Sequence, residues 1–151
     1  FRQCLKALII TLFLNGMYLH AATLENSDSE VCMAQAIYFE SRGGSELDMK
    51  DVGQVVLNRV NSSKFPNSVC GVVYQRYRGT CQFSWVCHSH SIREPKEYEK
   101  SLRYANEILT SEYTGTRIDR TNGALFFENK SSHTNWRKKP IFKNNQHVFY
   151  K

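Results

Sequence analysis

Ala36-Ile37-Tyr38-Phe39-Glu40-Ser41-Arg42-Gly43-Gly44 sets one carboxylate at the end of an apolar, helix-patterned run, directly before a glycine pair. Met33, Ala36, Ile37 and Glu40 fall at spacings of three, one and three, so they share a helix face. Gly43 and Gly44 supply the left-handed stop that ends such a helix. The spacing predicts a helix from Val31 to Ser41 with Glu40 emerging from the apolar stripe in its last turn. Poor solvation and the negative end of the helix dipole both disfavour a charged carboxylate there and raise its pKa. A carboxylic acid that keeps its proton near neutral pH is what general acid catalysis needs. The same pattern also suits a surface glutamate near a helix end, so this stretch alone leaves both readings open.

Working outward, Ser45-Glu46-Leu47-Asp48 has the spacing of a capping box, with Asp where Glu or Gln is usual. The helix it opens runs to about Val60, with Met49, Val52, Val56 and Val60 as its buried stripe. Lys64-Phe65-Pro66-Asn67 breaks the pattern. Ser68 to Gln75 is apolar and β-branched, and strand and short helix both remain open. Arg76 to Ile92 has no period; it holds two cysteines, two histidines and several aromatics, the composition of a cross-linked functional loop. Pro95 opens a further helix whose face is Tyr98, Leu102, Ala105 and Leu109 and which ends near Ser111. Ala124 to Phe127 and Gln146 to Tyr150 read as short strands. The sum is α+β, mainly helical, with a small antiparallel sheet from the second half.

The chain has 151 residues, enough for one domain with a real core. Residues 1–22 begin with Arg2 and Lys6, continue with an apolar run over Ala7 to Leu14 and end in small residues. That is the plan of a secretory signal peptide or signal anchor, and the run is short for a transmembrane helix. Glu25 to Glu30 is polar, so 23–30 reads as a linker and 31–151 as the folded domain. Without 1–22 the chain carries 18 basic and 14 acidic side chains, net +4. Such an excess favours anionic partners, and an exported protein meets a cell wall before it meets nucleic acid. Four cysteines lie beyond the signal, and an even count in an exported domain reads as two disulfides with three possible pairings. Cys81 with Cys87, which closes a short loop, is preferred; Cys32 with Cys70 then joins the first helix to the middle of the chain.

Six fragments of this chain, in order, resemble the cell-wall hydrolase family named for the spore cortex-lytic enzymes. Ala36-Ile37-Tyr38-Phe39-Glu40-Ser41-Arg42-Gly43 is similar to the family's A-(I/L)-Y-x-E-A-R-G. Gln54-Val55-Val56-Leu57-Asn58-Arg59-Val60 is similar to its V-x-L-N-R-V helix, and Phe65 to Gln75 to F-P-x-(T/S)-(V/I)-x-G-V-(V/I)-(Y/F)-Q. Gln82-Phe83-Ser84, then Gly123 to Phe127 with Trp136, and the terminal His147-Val148-Phe149-Tyr150 complete the set. The cysteine positions resemble members from Gram-negative bacteria and their phages. The resemblance implies a lysozyme-like fold, peptidoglycan glycan strands as substrate, and Glu40 as the catalytic acid. The signal-like residues 1–22 imply a secreted or periplasmic location, with membrane contact only through an uncleaved signal. Two positions depart from the pattern: Ser41 stands where Ala is common, and Gly44 where a second Glu is usual, with Glu46 the nearest acid.

A missing second carboxylate suits a lytic transglycosylase, in which the sugar's own 6-hydroxyl attacks and one Glu serves as acid and then base. Sugars are held by amide hydrogen bonds and aromatic stacking, so Asn58, Gln75, Gln82 and Ser84 are the polar candidates and Tyr38, Phe83 and Trp85 the platforms. His147 is a further candidate beside its reading as a structural residue of the last strand. Cys87-His88-Ser89-His90 with Cys81 fits no common zinc spacing, and no cofactor or metal is expected. The expected protein is a monomer without nucleic-acid partners. Two competing readings remain: an N-acetylmuramoyl-L-alanine amidase, and a non-catalytic peptidoglycan-binding module.

Overall fold

A computed structural model describes residues 27–132 and 137–151. The signal reading of 1–22, the first part of the linker reading and Trp136 lie outside the described residues. Helix α1 covers 27–41. Among the described residues it takes in 27–30, read from sequence as linker, where Asn106 Nδ2 donates to Glu30 Oε2 at 3.0 Å and ties this turn to the rest of the fold. Met33, Ala34, Ala36, Ile37 and Tyr38 are all buried, so α1 is enclosed nearly all round. Gly43 ends it with φ 79°.

Helix α2, Glu46–Val60, starts at the expected capping box: the Asp48 amide donates to Ser45 Oγ at 3.2 Å and the Ser45 amide to Asp48 Oδ2 at 3.1 Å. Met49, Val52 and Val56 are buried as the pattern predicts, and Val60 is packed at the edge. Gly53 is the crossing point of three helices. A Cβ there would sit 2.6 Å from Ile108 Cδ1 and 3.3 Å from Ile37 Cδ1, so glycine lets the helices that carry Ile37 and Ile108 close on α2 without moving those side chains. Helix α4, Pro95–Tyr113, starts on its proline. Its fully buried face is Ser101, Tyr104, Ala105 and Ile108. Tyr98, Leu102 and Leu109 of the predicted face only flank it. The shift is allowed because Ser101 donates its hydroxyl to the Glu97 carbonyl at 2.9 Å and so enters the core with its polar atom satisfied.

The open segment at Ser68 resolves as a short helix, α3, Val69–Val73. Ser68 decides this by capping the Gly71 amide at 3.1 Å. The two disulfides are Cys32–Cys70 and Cys81–Cys87, with Cα separations of 5.2 and 5.8 Å. Strands β1, Arg76–Tyr77, and β2, Thr80–Cys81, form a hairpin whose central residues Arg78 and Gly79 both take positive φ. A 3-10 helix, Ser84–Cys87, follows. The last layer is an antiparallel sheet of β3, Phe126–Asn129, β4, Phe142–Lys143, and β5, His147–Tyr150, in the order β3-β5-β4. The pattern at Ala124–Phe127 places β3 two residues early, although the Leu125 amide already bonds the Tyr150 carbonyl at 3.0 Å. Phe149 of β5 packs with Val55 and Ala124, which seats the sheet on α2. Among the described residues no helix is long and apolar enough to cross a membrane.

Candidate active site

Glu40 sits in the last turn of α1, half-buried. Its carboxyl group makes no hydrogen bond or ion pair among the described residues. Burial pushes its pKa up to about 7, against an opposing pull from the Arg59 guanidinium. The two side chains stay beyond the 4.0 Å of an ion pair. Arg59, in the last turn of α2, is only 3% exposed. Its Nε donates to the Leu125 carbonyl at 2.7 Å, and its guanidinium lies 5.2 Å from the Phe83 ring, 5.3 Å from Phe65 and 6.0 Å from Phe126. Its Nη1 has no partner. Burial lowers its pKa to about 10 while Glu40 raises it, so it stays a cation at neutral pH. The arrangement is a protonatable acid facing a fixed, ring-framed positive charge. Sequence inspection gave Arg59 no role. The signal was there, since Arg59 continues the Val52 and Val56 stripe, where a charge is out of place.

His147 is buried beneath this group, 5.0 Å from the Phe127 ring and 6.0 Å from Phe149, with Nδ1 unpartnered. Burial lowers its pKa, opposed by Asp48 and by the backbone of Glu40, so the ring is neutral near pH 7. It supports the Glu40 backbone from inside; the substrate-contact reading is corrected by its burial. The same correction applies to the aromatic platforms. Tyr38, Phe83 and Trp85 are 1, 3 and 9% exposed. Tyr38 Oη accepts from the Arg93 and Glu94 amides, each at 3.1 Å, and Trp85 stacks on Phe39 at 4.6 Å. Trp85 and Phe83 are packed against Phe39 and the Arg59 guanidinium, whereas Tyr38 keeps an edge toward a groove. Asn58 is also spent. Its Nδ2 donates to Asp119 Oδ2 at 2.9 Å, Thr121 Oγ1 at 3.2 Å and the Ala124 carbonyl at 3.0 Å, and Arg117 donates to its Oδ1. It fastens the 117–124 segment to α2 instead of facing a cleft.

Gln75, Gln82 and Ser84 are brought together by the β1–β2 hairpin, where the Gln82 amide donates to the Gln75 carbonyl at 2.9 Å. Gln82 and Ser84 are exposed, and Gln75 Oε1 is buried without a partner. Gln82 and Ser84 stay available to a ligand, whereas the buried Gln75 oxygen does not. Cys81 and Cys87 are joined to each other, which removes both sulfurs from any metal cluster. Among the described residues no three His, Cys, Asp or Glu side chains are placed to hold a metal ion. A groove of about 480 Å³ opens beside α1, lined by Tyr38, Phe39, Arg42, His90, Arg93 and Glu94 among others; Glu40 is not in its wall. Two residues that sequence reasoning left without a part, Ser41 and Gln146, meet at the end of α1, where Ser41 Oγ donates to Gln146 Oε1.

The family described as Cell Wall Hydrolase matches residues 43–150. The spore cortex-lytic enzyme of Bacillus cereus is 33% identical over 122 residues, covering 79% of this chain and 42% of that protein. The spore cortex-lytic enzyme of Bacillus subtilis is 30% identical over 120 residues, covering 78% and 35%. The chain thus spans less than half the length of these curated relatives. Among solved structures, the catalytic domain of the germination-specific lytic transglycosylase SleB from Bacillus anthracis superposes with a TM-score of 0.62 at 29% identity, covering 82% of this chain and 93% of that one. The catalytic domain of Bacillus cereus SleB gives a TM-score of 0.56 at 30% identity, covering 82% and 91%. The α+β, lysozyme-like architecture expected from sequence is the one found.

Proposed function

The chain belongs to the cell wall hydrolase family, and from that premise we propose that it cleaves the β-1,4 bond between N-acetylmuramic acid and N-acetylglucosamine in peptidoglycan as a lytic transglycosylase, with Glu40 as acid and then base. One observation carries the reading: a half-buried carboxyl without a hydrogen-bonding partner, whose pKa lies near 7. Such a group holds its proton at neutral pH until a glycosidic oxygen takes it. As the C1–oxygen bond breaks, positive charge builds on the sugar ring and Glu40 becomes the anion. Arg59 stabilises that anion from behind without neutralising it beforehand. The carboxylate then takes the proton of the sugar's 6-hydroxyl as its oxygen bonds to C1, which gives a 1,6-anhydro end and restores the acid.

Two things support this scheme over one with paired carboxylates. The charge that acts on Glu40 is a cation, and among the described residues no neighbouring carboxylate adds to the rise in its pKa. The solved neighbour that shares this fold carries the lytic transglycosylase activity in its name. Peptidoglycan lies outside the cytoplasm, and two disulfides fit an oxidising compartment. Purified protein acting on isolated sacculi tests the proposal. Wild type is expected to release fragments with anhydro ends by mass spectrometry, and Glu40→Gln to release none. Reducing ends overturn the transglycosylase step; free peptides with intact strands replace the whole reading with an amidase.

A further inference from the structure

Gln146 reaches across from the β4–β5 turn to the end of α1, where its carboxamide fills the notch left by a glycine. A Cβ on Gly44 would lie 2.6 Å from Gln146 Oε1, 2.9 Å from Cδ and 3.0 Å from Nε2. Gly44 does not adopt positive φ, so its backbone demands no glycine; the space does. Ser41, itself buried, donates its hydroxyl to Oε1 and so fixes which way the amide points. The turn that carries Gln146 is pinned as well. Asn144 Nδ2 donates to Asp51 at 2.9 Å, the Asn145 amide donates to Asp48 Oδ1 at 3.0 Å, and the Gln146 amide donates to Asn144 Oδ1 at 2.9 Å. With Oε1 held by Ser41, Nε2 is left with two donor hydrogens and no hydrogen-bonding partner among the described residues. The side chain is half-buried, beside exposed Arg42 and Gly43 and next in sequence to the histidine that supports Glu40.

We infer that Gln146 is a substrate-binding residue, whose oriented Nε2 donates to the acetamido carbonyl oxygen of an N-acetylated sugar bound next to Glu40. The inference rests on the glycan-strand reading of this site. A neutral donor at the carbonyl end of a helix suits a neutral acceptor, because the negative end of the dipole repels carboxylates and phosphates. An amide carbonyl also completes a half-buried donor that otherwise lacks a partner.

Affinity for soluble, uncross-linked glycan strands tests this in a Glu40→Gln background, where turnover does not interfere. Gln146→Glu keeps an acceptor for Ser41 and removes the donor, so Kd is expected to rise about five- to tenfold, the size of one hydrogen bond. Gly44→Ala drives the amide from its notch at little cost in stability and is expected to weaken binding equally, with no further loss in the double variant. De-N-acetylated strands carry ammonium groups in place of the acetamide acceptor, so on them the weakening caused by Gln146→Glu is expected to disappear or invert. An unchanged Kd in Gln146→Glu, or an undiminished weakening on de-N-acetylated strands, overturns the assignment. Cleavage retained by Glu40→Gln would instead overturn the reading of Glu40, and leaves these Kd ratios to decide on Gln146.

Discussion

Glu40 and Asp48 stand on either side of the Gly43–Gly44 turn, and the protein treats their carboxyl groups in opposite ways. Asp48 is 2% exposed, yet four donors surround it: the amide and hydroxyl of Ser45, and the amide and Nδ2 of Asn145. Burial alone would raise its pKa, but those hydrogen bonds outweigh it and hold the group below the usual carboxylate range. Glu40 has burial without donors, and burial wins. One acid is therefore a fixed anion that staples α2 to the β4–β5 turn. The other is a proton store. The lesson is that burial by itself does not set a carboxyl's role; the supply of donors around it does.

Exchanging charge for a neutral isostere on each side gives the sharpest break of this comparison. Glu40→Gln is expected to lower sacculus cleavage by about 10²- to 10⁴-fold with no loss in melting temperature. Asp48→Asn is expected to do the reverse. Losing an acceptor for buried donors costs about 2 kcal/mol in denaturant unfolding, while the rate per folded molecule stays within a few-fold. Equal losses of activity in both variants would erase the distinction.

The pH dependence of stability sharpens it further. Between pH 4.5 and about 7 the folded protein keeps a proton on Glu40 that the unfolded chain has released, so this group lowers stability as pH rises through that window. Asp48 contributes stability above its unfolded value of 3.8 and loses it as pH falls through its depressed folded value. Urea midpoints measured across pH should show the Glu40 decline vanish in Glu40→Gln and persist in Asp48→Asn. Activity that depends on the acid form should fall as pH rises through about 7.

The smallest effect concerns Arg59. Replacing it with Met removes the cation that opposes the burial of Glu40, so the alkaline limb of the activity profile should move to higher pH by a fraction of a unit. A move to lower pH would mean that Arg59 does not act on Glu40.

Local rules were enough for the elements that frame this turn. Ser45 and Asp48 announce the start of α2 and Gly43 the end of α1, whereas Ser68–Gln75 left strand and helix open until the Ser68 cap settled it as helix. Even cysteine count and loop length led to the pairings that are present. What stayed hidden depends on contacts remote in sequence. Gln146 meets Ser41 across 105 residues, and no local pattern marks it. Trp85 and Phe83 sit in a disulfide loop that looks exposed from composition, but the rings of Phe39 and Phe127 draw them inward. Asn58 lies off the apolar stripe of α2, which suited a cleft equally well; Asp119 and Arg117 claim it instead. Strand β4 is two residues long and exists only because β5 offers it an edge.

A carboxyl ¹³C titration of the folded protein puts both acids into one experiment. The Glu40 Cδ resonance should titrate with a midpoint near 7, and Asp48 Cγ below 3.8. A Glu40 midpoint near the ordinary 4.5 would contradict the account, because the group would then have no proton to give at neutral pH.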